Sequence, residues 1–298
     1  MRSESEMLGL IINAANQEER IRAVILNGSR AANPLRKDCF QDYDIVYFVN
    51  DFQFFVNTHT WIDIFGKRII LEMPAYKDFE PSQYNGHFNY QMLLTDGNRI
   101  DLTFAALETV DTVIVNDPVA TILLDKDGML RSKTFSGAEV YWVPPPTKRA
   151  FENSCNSFWW VLQNVAKGIK RCELPYAINM LNFARDEVDQ VVSWYIGLNN
   201  EFRVSPGKFG KYFEKYLGAN LWNSYVSTFP SGNYEDIWKS LFRACDLFRL
   251  IAIEIANRYS YCYPYTDDAS MTAYLYQVQN MPDSSISEAH KECSIRIE

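Results

Sequence analysis

Behind Ser3 and Glu6, which stand at capping-box spacing, Met7, Leu8, Ile11, Ile12 and Ala15 recur every three or four residues, so the chain opens with an amphipathic helix. The pattern then changes. Ile21 to Asn27 (IRAVILN) is almost wholly apolar and stops at Gly28, as a buried strand does, and a second strand reads through Asp44 to Val49 (DIVYFV). Asp51 can cap a helix over roughly Phe52 to Phe65, and Lys67 to Met73 is a third strand. Phe88 to Leu94 and Arg99 to Phe104 are apolar runs joined by Thr95-Asp96-Gly97-Asn98, and Asp-Gly between two such runs predicts a hairpin.

From Pro144-Pro145-Pro146 onward the period is helical. Three prolines in a row fit neither a helix interior nor a central strand, which places a domain boundary there. Phe151, Cys155, Phe158, Trp159, Leu162, Val165, Ala166 and Ile169 form one face of a long helix. A second helix runs from about Leu174 to Gly197, and Tyr234 to Tyr259 is a third, apolar nearly all round. The fold class expected is α+β: residues 1–145 as a domain with a small mixed sheet flanked by helices, residues 146–280 as a helical bundle, and residues 281–298 as a polar, loosely held tail.

Composition narrows the picture. With 298 residues, 47% of them hydrophobic and 15% aromatic, the chain can bury a full core in two domains and is not disordered. No run of about 18 apolar residues is present and the first ten residues are polar, so no membrane span or leader is expected and the protein is assigned to the cytoplasm. The six cysteines are scattered without a CxxC pair, which points to reduced thiols and no zinc site. A net charge of −8 disfavours a surface that tracks nucleic-acid phosphates and suits a small polycation better. His59, His87 and His290 have no Ser or Cys motif near them, and neither a Walker A pattern nor GxGxxG occurs, so a hydrolytic triad and a P-loop are unsupported.

Three features share one frame: Gly28-Ser29-Arg30 at the end of the first strand, Asp42-Tyr43-Asp44 at the start of the second, and Asp101 within a later strand. Residues i and i+2 of a strand point the same way about 6.6–6.8 Å apart, so Asp42 and Asp44 project together at the rim of an apolar strand. Like charges that are partly desolvated repel unless a cation lies between them. Mg²⁺, which takes oxygen ligands and is commonly held by one or two carboxylates plus substrate phosphates, is the ion this set suits. Gly28 lets the backbone turn sharply or a ligand approach, Ser29 and the turn N–H groups can hold a phosphate, and Arg30 adds charge.

A strand ending in Gly-Ser, an Asp-x-Asp doublet ahead of an apolar strand and a lone Asp between apolar residues resemble the nucleotidyltransferase superfamily. The stretches AVILNGSR, CFQDYDIVYFV, GNRIDLTF, LLDKDG and FWWVLQNVAKGI, and their spacing over nearly the whole chain, are similar to the aminoglycoside 6-adenylyltransferases that inactivate streptomycin. This resemblance implies a nucleotidyltransferase domain followed by a helical domain, with ATP and the antibiotic meeting in the cleft between them. It implies Mg²⁺-dependent transfer of AMP from ATP to the 6-hydroxyl of the streptidine ring. Asp42 and Asp44 would ligate metals that bridge the triphosphate, and Ser29 would contact a terminal phosphate. Asp101 would complete a second metal site or take the proton from the antibiotic hydroxyl. On the helix at 151–169, Lys167 heads a basic cluster with Lys170 and Arg171 that can reach phosphates. On the next helix Asn179, Asn182, Asp186, Asp189 and Ser193 make a polar stripe, with Glu187 beside it, and Asp186 is a candidate for binding guanidinium groups or acting as the general base. The expected partners are ATP and a cationic aminoglycoside, with no nucleic acid, no membrane and a monomeric chain. Two alternatives lie close by: another small acceptor such as a different aminoglycoside or a lincosamide, and a catalytically silent nucleotide-binding regulator. A nucleotidyltransferase for RNA ends is disfavoured by charge.

Overall fold

The structure, a computed structural model, describes residues 1–31, 38–74 and 84–282. It divides into two compact units, Met1–Val140 and Tyr141–Glu298, parted just ahead of the triple proline. The polar tail expected at 281–298 lies almost entirely outside the described residues.

In the first unit, helix α1 (Glu4–Gln17) starts at a complete capping box, with Ser3 accepting from the Glu6 N–H and the Glu6 carboxylate accepting from the Ser3 N–H. Strands β1 (Ile21–Asn27), β2 (Tyr43–Val49), β3 (Arg68–Glu72), β4 (His87–Leu94), β5 (Arg99–Ala106) and β6 (Thr121–Asp125) form one sheet in the order β3-β4-β5-β2-β1-β6. It is mixed: β2 and β5 run parallel and every other pair is antiparallel. Phe88, Tyr90 and Met92 alternate with half-buried positions on β4, as Ile100, Leu102 and Phe104 do on β5, and together with Tyr43, Ile45 and Tyr47 they pack under α1 and residues 52–65. Burying a side chain such as Phe104 stabilises the fold by about 2–3 kcal/mol. On the opposite face, Ala23, Ile25, Val46, Phe48 and Ala105 pack against Val110 and Ile114 of helix α4 (Val110–Asn116) and against Leu130.

Two elements depart from the sequence pattern. Gly28 opens a four-residue helical turn, α2 (Gly28–Ala31). The helix expected over 52–65 is broken: α3 (Phe52–Asn57), capped by Asp51, ends before Thr58, and His59–Phe65 continues as a 3₁₀ helix. Asn57, Thr58, His59 and Thr60 are all weak helix formers, and their polar groups favour a turn over the helical ladder.

Among the described residues of the second unit the regular elements are helices: α5 (Lys148–Lys170), α6 (Leu174–Asn199), α7 (Phe213–Tyr216), α8 (Ala219–Val226), α9 (Tyr234–Tyr259) and α10 (Tyr265–Gln279). Thr147 and Asn233 cap α5 and α9 through their side chains, and Pro175 sits in the first turn of α6. The face predicted for α5 is buried, with Phe158 stacked on Phe248 of α9 at 3.9 Å. Gly168 lets α5 and α6 approach closely, since a Cβ there would lie 3.1 Å from Ala177 Cα. Arg249 of α9 makes a two-pronged ion pair with Asp268 of α10 at 2.6 Å on each side, and Tyr263 and Thr272 also donate to that carboxylate. No described helix is long and apolar enough to cross a membrane.

Candidate active site

Strand register sets the site. Asn27 of β1 pairs with Asp44 of β2, and Asp44 pairs with Asp101 of β5, so three polar side chains stand abreast on adjacent strands, about 4.7–4.9 Å apart in the pairing direction. Gln91 of β4 extends the row beyond Asp101. Asp42 lies just before β2, two residues from Asp44, and β2 turns apolar immediately afterwards. Along the same face Val46 and Phe48 are packed under α4, so the carboxylates occupy the polar end of a covered strand.

Burial, followed by the nearby Asp101, Asp42 and Asp117 carboxylates, pushes Asp44 up to about 6. Burial also raises Asp42, against the lowering effect of Arg99. Among the described residues no donor hydrogen-bonds the Asp44 carboxylate, whereas Asp101 is gripped on both oxygens by Arg99, Nε to Oδ1 at 2.8 Å and Nη2 to Oδ2 at 2.7 Å. The same guanidinium lies 3.5 Å from Asp42 Oδ2. Asp117 enters from the segment after α4, accepting from Asn27 Nδ2 at 3.1 Å. That bond turns the Asn27 amide so that Oδ1 faces away from Asp117, and Oδ1 is buried without a hydrogen-bond partner among the described residues.

Gly28 is required by geometry twice over. Its φ of +68° is left-handed, and a Cβ there would run into Asp44 Oδ2 and lie 2.8 Å from Asp44 Cγ. Ser29 Oγ accepts from Gln41 Nε2 at 3.3 Å and keeps its own hydrogen for another acceptor. Arg30, which the sequence offers as charge for a phosphate, is committed elsewhere. Its guanidinium donates to the carbonyls of Asp42 (3.1 Å) and Gln41 (2.8 Å), pairs with Glu4 at 3.3 Å and lies 3.9 Å over the Tyr43 ring. With its side chain only 7% exposed, Arg30 holds the leading end of β2 in place.

In the helical unit, Lys167 is exposed in the last turn of α5 and bonded to Gln163. Asp186 is exposed on α6, as are Asn179 and Asn182. Glu187 instead turns toward α5 and accepts from Ser154 Oγ at 2.6 Å; burial raises it despite that bond. Asp189 is raised by burial too, although Tyr225 donates to it, and its Oδ1 is buried without a partner among the described residues. His59 Nδ1 lies 2.9 Å from the Tyr90 hydroxyl, and among the described residues no two cysteines form a disulfide. Sequence reasoning missed Arg99, Asn27 and Asp117. Arg99, two residues before Asp101 on one strand, carried a local signal; the other two are brought in only by pairing and packing.

Among the described residues no set of three His, Cys, Asp or Glu side chains is drawn together into a ready-made metal cage. The donors nevertheless fit a hard divalent cation: they are all oxygens, they carry uncompensated negative charge at Asp44, and Asn27 Oδ1 is an orphaned buried acceptor beside them. An α+β sheet that brings Gly-Ser, Asp-x-Asp and a third aspartate to one end of three adjacent strands defines the nucleotidyltransferase class of enzymes. Comparison with known proteins narrows the class. The streptomycin adenylyltransferase family model matches residues 1–278. Proteins named aminoglycoside 6-adenylyltransferase are similar at 37% identity over 270 residues in Bacillus subtilis (90% of this chain, 95% of that one) and at 37% over 269 residues in Campylobacter jejuni (90% and 93%). A crystal structure of an aminoglycoside 6-adenyltransferase from Bacillus subtilis aligns with a TM-score of 0.47 at 34% identity, covering 94% of this chain and 100% of that one. The chain belongs to the streptomycin adenylyltransferase family.

Proposed function

We propose that this enzyme transfers AMP from ATP to an aminoglycoside hydroxyl, the 6-hydroxyl of streptomycin's streptidine ring, and so inactivates the drug in the cytoplasm as a monomer. The observation that carries the reading is the row Asn27, Asp44 and Asp101, with Gly28 pressed against Asp44, in a chain whose relatives bear that enzyme's name. The N-terminal residues to about 145 would carry the nucleotide and residues 146–280 would bind the acceptor.

In the reaction the acceptor oxygen bonds to the α-phosphorus, the bond from that phosphorus to the bridging oxygen of pyrophosphate breaks, and pyrophosphate leaves. Asp42, Asp44 and, in one of its two roles, Asp101 would hold Mg²⁺, which supplies neutralisation of triphosphate charge as it builds up. Gly28 keeps the end of β1 clear, and the Ser29 hydroxyl donates to a phosphate oxygen. Arg30 keeps the carbonyls of Gln41 and Asp42 fixed, and through them the angle at which Asp42 projects. Lys167 adds a cation for the phosphates. The proton of the attacking hydroxyl passes to a carboxylate, either Asp101 after its release from Arg99 or Asp186, which with Asp189 also offers negative charge to guanidinium groups.

Purified protein incubated with ATP, Mg²⁺ and a panel of streptomycin, kanamycin and lincomycin tests this directly. Mass spectrometry should find an AMP adduct of streptomycin, with pyrophosphate as the other product. An adduct of kanamycin or lincomycin in its place would move the acceptor to the alternative class, and no adduct at all would overturn the reading.

A further inference from the structure

The Arg99 guanidinium sits where the acidic row needs positive charge most. Asp42, Asp44 and Asp101 crowd the leading ends of β2 and β5, and among the described residues Arg99 is the one cation bonded to their side chains, with both oxygens of Asp101 and a 3.5 Å approach to Asp42. Arg99 and Asp101 are i and i+2 on β5, so they share a face without strain, and pairing of Arg99 with Leu93 on β4 fixes its backbone. The side chain is 42% exposed, more than that of Asp101 at 23%, so the guanidinium can leave the row by rotating toward solvent while the carboxylates stay.

We propose that Arg99 is the built-in counter-cation of this site. It holds Asp101 and Asp42 in register while no divalent cation is present, and it yields them when one binds. The inference rests on the metal reading given above and adds a positioning residue to it. A guanidinium and a divalent ion cannot both lie against Asp101 without strong repulsion, so each binding event displaces Arg99 and part of the intrinsic metal affinity is spent on that displacement. Removing Arg99 has two coupled consequences. The metal-free protein loses stability, because like charges at the row are no longer neutralised, and the protein binds a divalent cation more tightly.

The test titrates Mn²⁺ alone into the free protein, reading unbound Mn²⁺ by electron paramagnetic resonance, for wild type, Arg99→Gln and Arg99→Lys. Melting temperatures are taken in EDTA and in saturating Mn²⁺. Arg99→Gln should bind Mn²⁺ about tenfold more tightly than wild type, with Arg99→Lys between, because a lysine keeps the charge but not the two-pronged grip. Its melting temperature should fall below wild type in EDTA and recover in Mn²⁺. A fall in melting temperature with unchanged or weaker Mn²⁺ binding would make Arg99 a structural ion pair and overturn the proposal. If wild type fails to bind Mn²⁺ even with a non-hydrolysable ATP analogue, the metal reading itself falls, and this inference with it.

Discussion

Replacing Gly28 with alanine perturbs the site through a single atom. The left-handed φ of +68° costs an alanine about 1 kcal/mol. The new Cβ also meets Asp44 at Oδ2, at Cγ (2.8 Å) and at Cβ (3.3 Å), so the carboxylate must rotate off its preferred rotamer or the end of β1 must move. An off-rotamer side chain costs about another 1 kcal/mol, and a total near 2 kcal/mol lowers the melting temperature of a unit of this size by about 4–8 °C. The effect on turnover should be larger, because moving a group at the reacting centre by roughly 1 Å costs about 100-fold. Calorimetry in metal-free buffer and the initial rate of pyrophosphate release measure the two effects. Repeating Gly28→Ala in an Asp44→Ala background removes the collision with the carboxylate and leaves the backbone cost and the milder 3.3 Å contact with the Cβ of residue 44, so the stability penalty should fall to about half. An equal penalty in both backgrounds, or turnover within tenfold of wild type, would refute the claim that Gly28 is there to make room for Asp44.

Asp42→Asn and Asp44→Asn should each abolish pyrophosphate release while leaving the circular dichroism spectrum unchanged, and Asp44→Asn should not lower the melting temperature in EDTA, since it removes one of several crowded charges. Asp101→Asn should weaken nucleotide binding and turnover together, as a metal ligand does, whereas Asp186→Asn should lower kcat or antibiotic affinity with ATP binding preserved; wild-type kinetics in the latter would leave Asp101 as the base. Arg30→Gln should lower the melting temperature through the lost carbonyl contacts at Gln41 and Asp42, and an unchanged melting temperature with weakened ATP binding would return Arg30 to the phosphates. In the helical unit, burial alone would raise Asp268, but hydrogen bonds from Arg249, Tyr263 and Thr272 outweigh it and hold the carboxyl below its ordinary value. A depressed carboxyl contributes stability above its unfolded pKa and loses it as pH falls through the folded one, so the melting temperature of wild type should drop more steeply than that of Asp268→Asn below about pH 4.

Local pattern alone determined a good part of this protein. The capping box at Ser3 and Glu6, the hairpin around Asp96-Gly97 and the limits of α5, α6 and α9 follow from periodicity and turn chemistry, because each is decided by residues within a few positions of one another. The residue types at 28–30, 42–44 and 101 and the likeness over the chain's length carried the family. Other elements were less legible: β6 and α4, five and seven residues long, are too short for a period to show, α10 buries only Asp268, Leu275 and Val278 and so carries no clear apolar stripe, and the break at Thr58 reflects weak helix formers that only packing could arbitrate. Tertiary structure decided who stands beside whom. Asn27 and Asp44 meet because β1 and β2 pair in one register, and a slip of one residue would turn Asn27 to the other face. Asp117 reaches Asn27 across ninety positions of sequence. Arg30 and Arg99 carry the same charge but part ways because one lies against the Tyr43 ring, on the face that packs under α1, and the other shares the opposite face with Asp101. Strand register and side-chain direction depend on the whole core at once, and no local pattern encodes them.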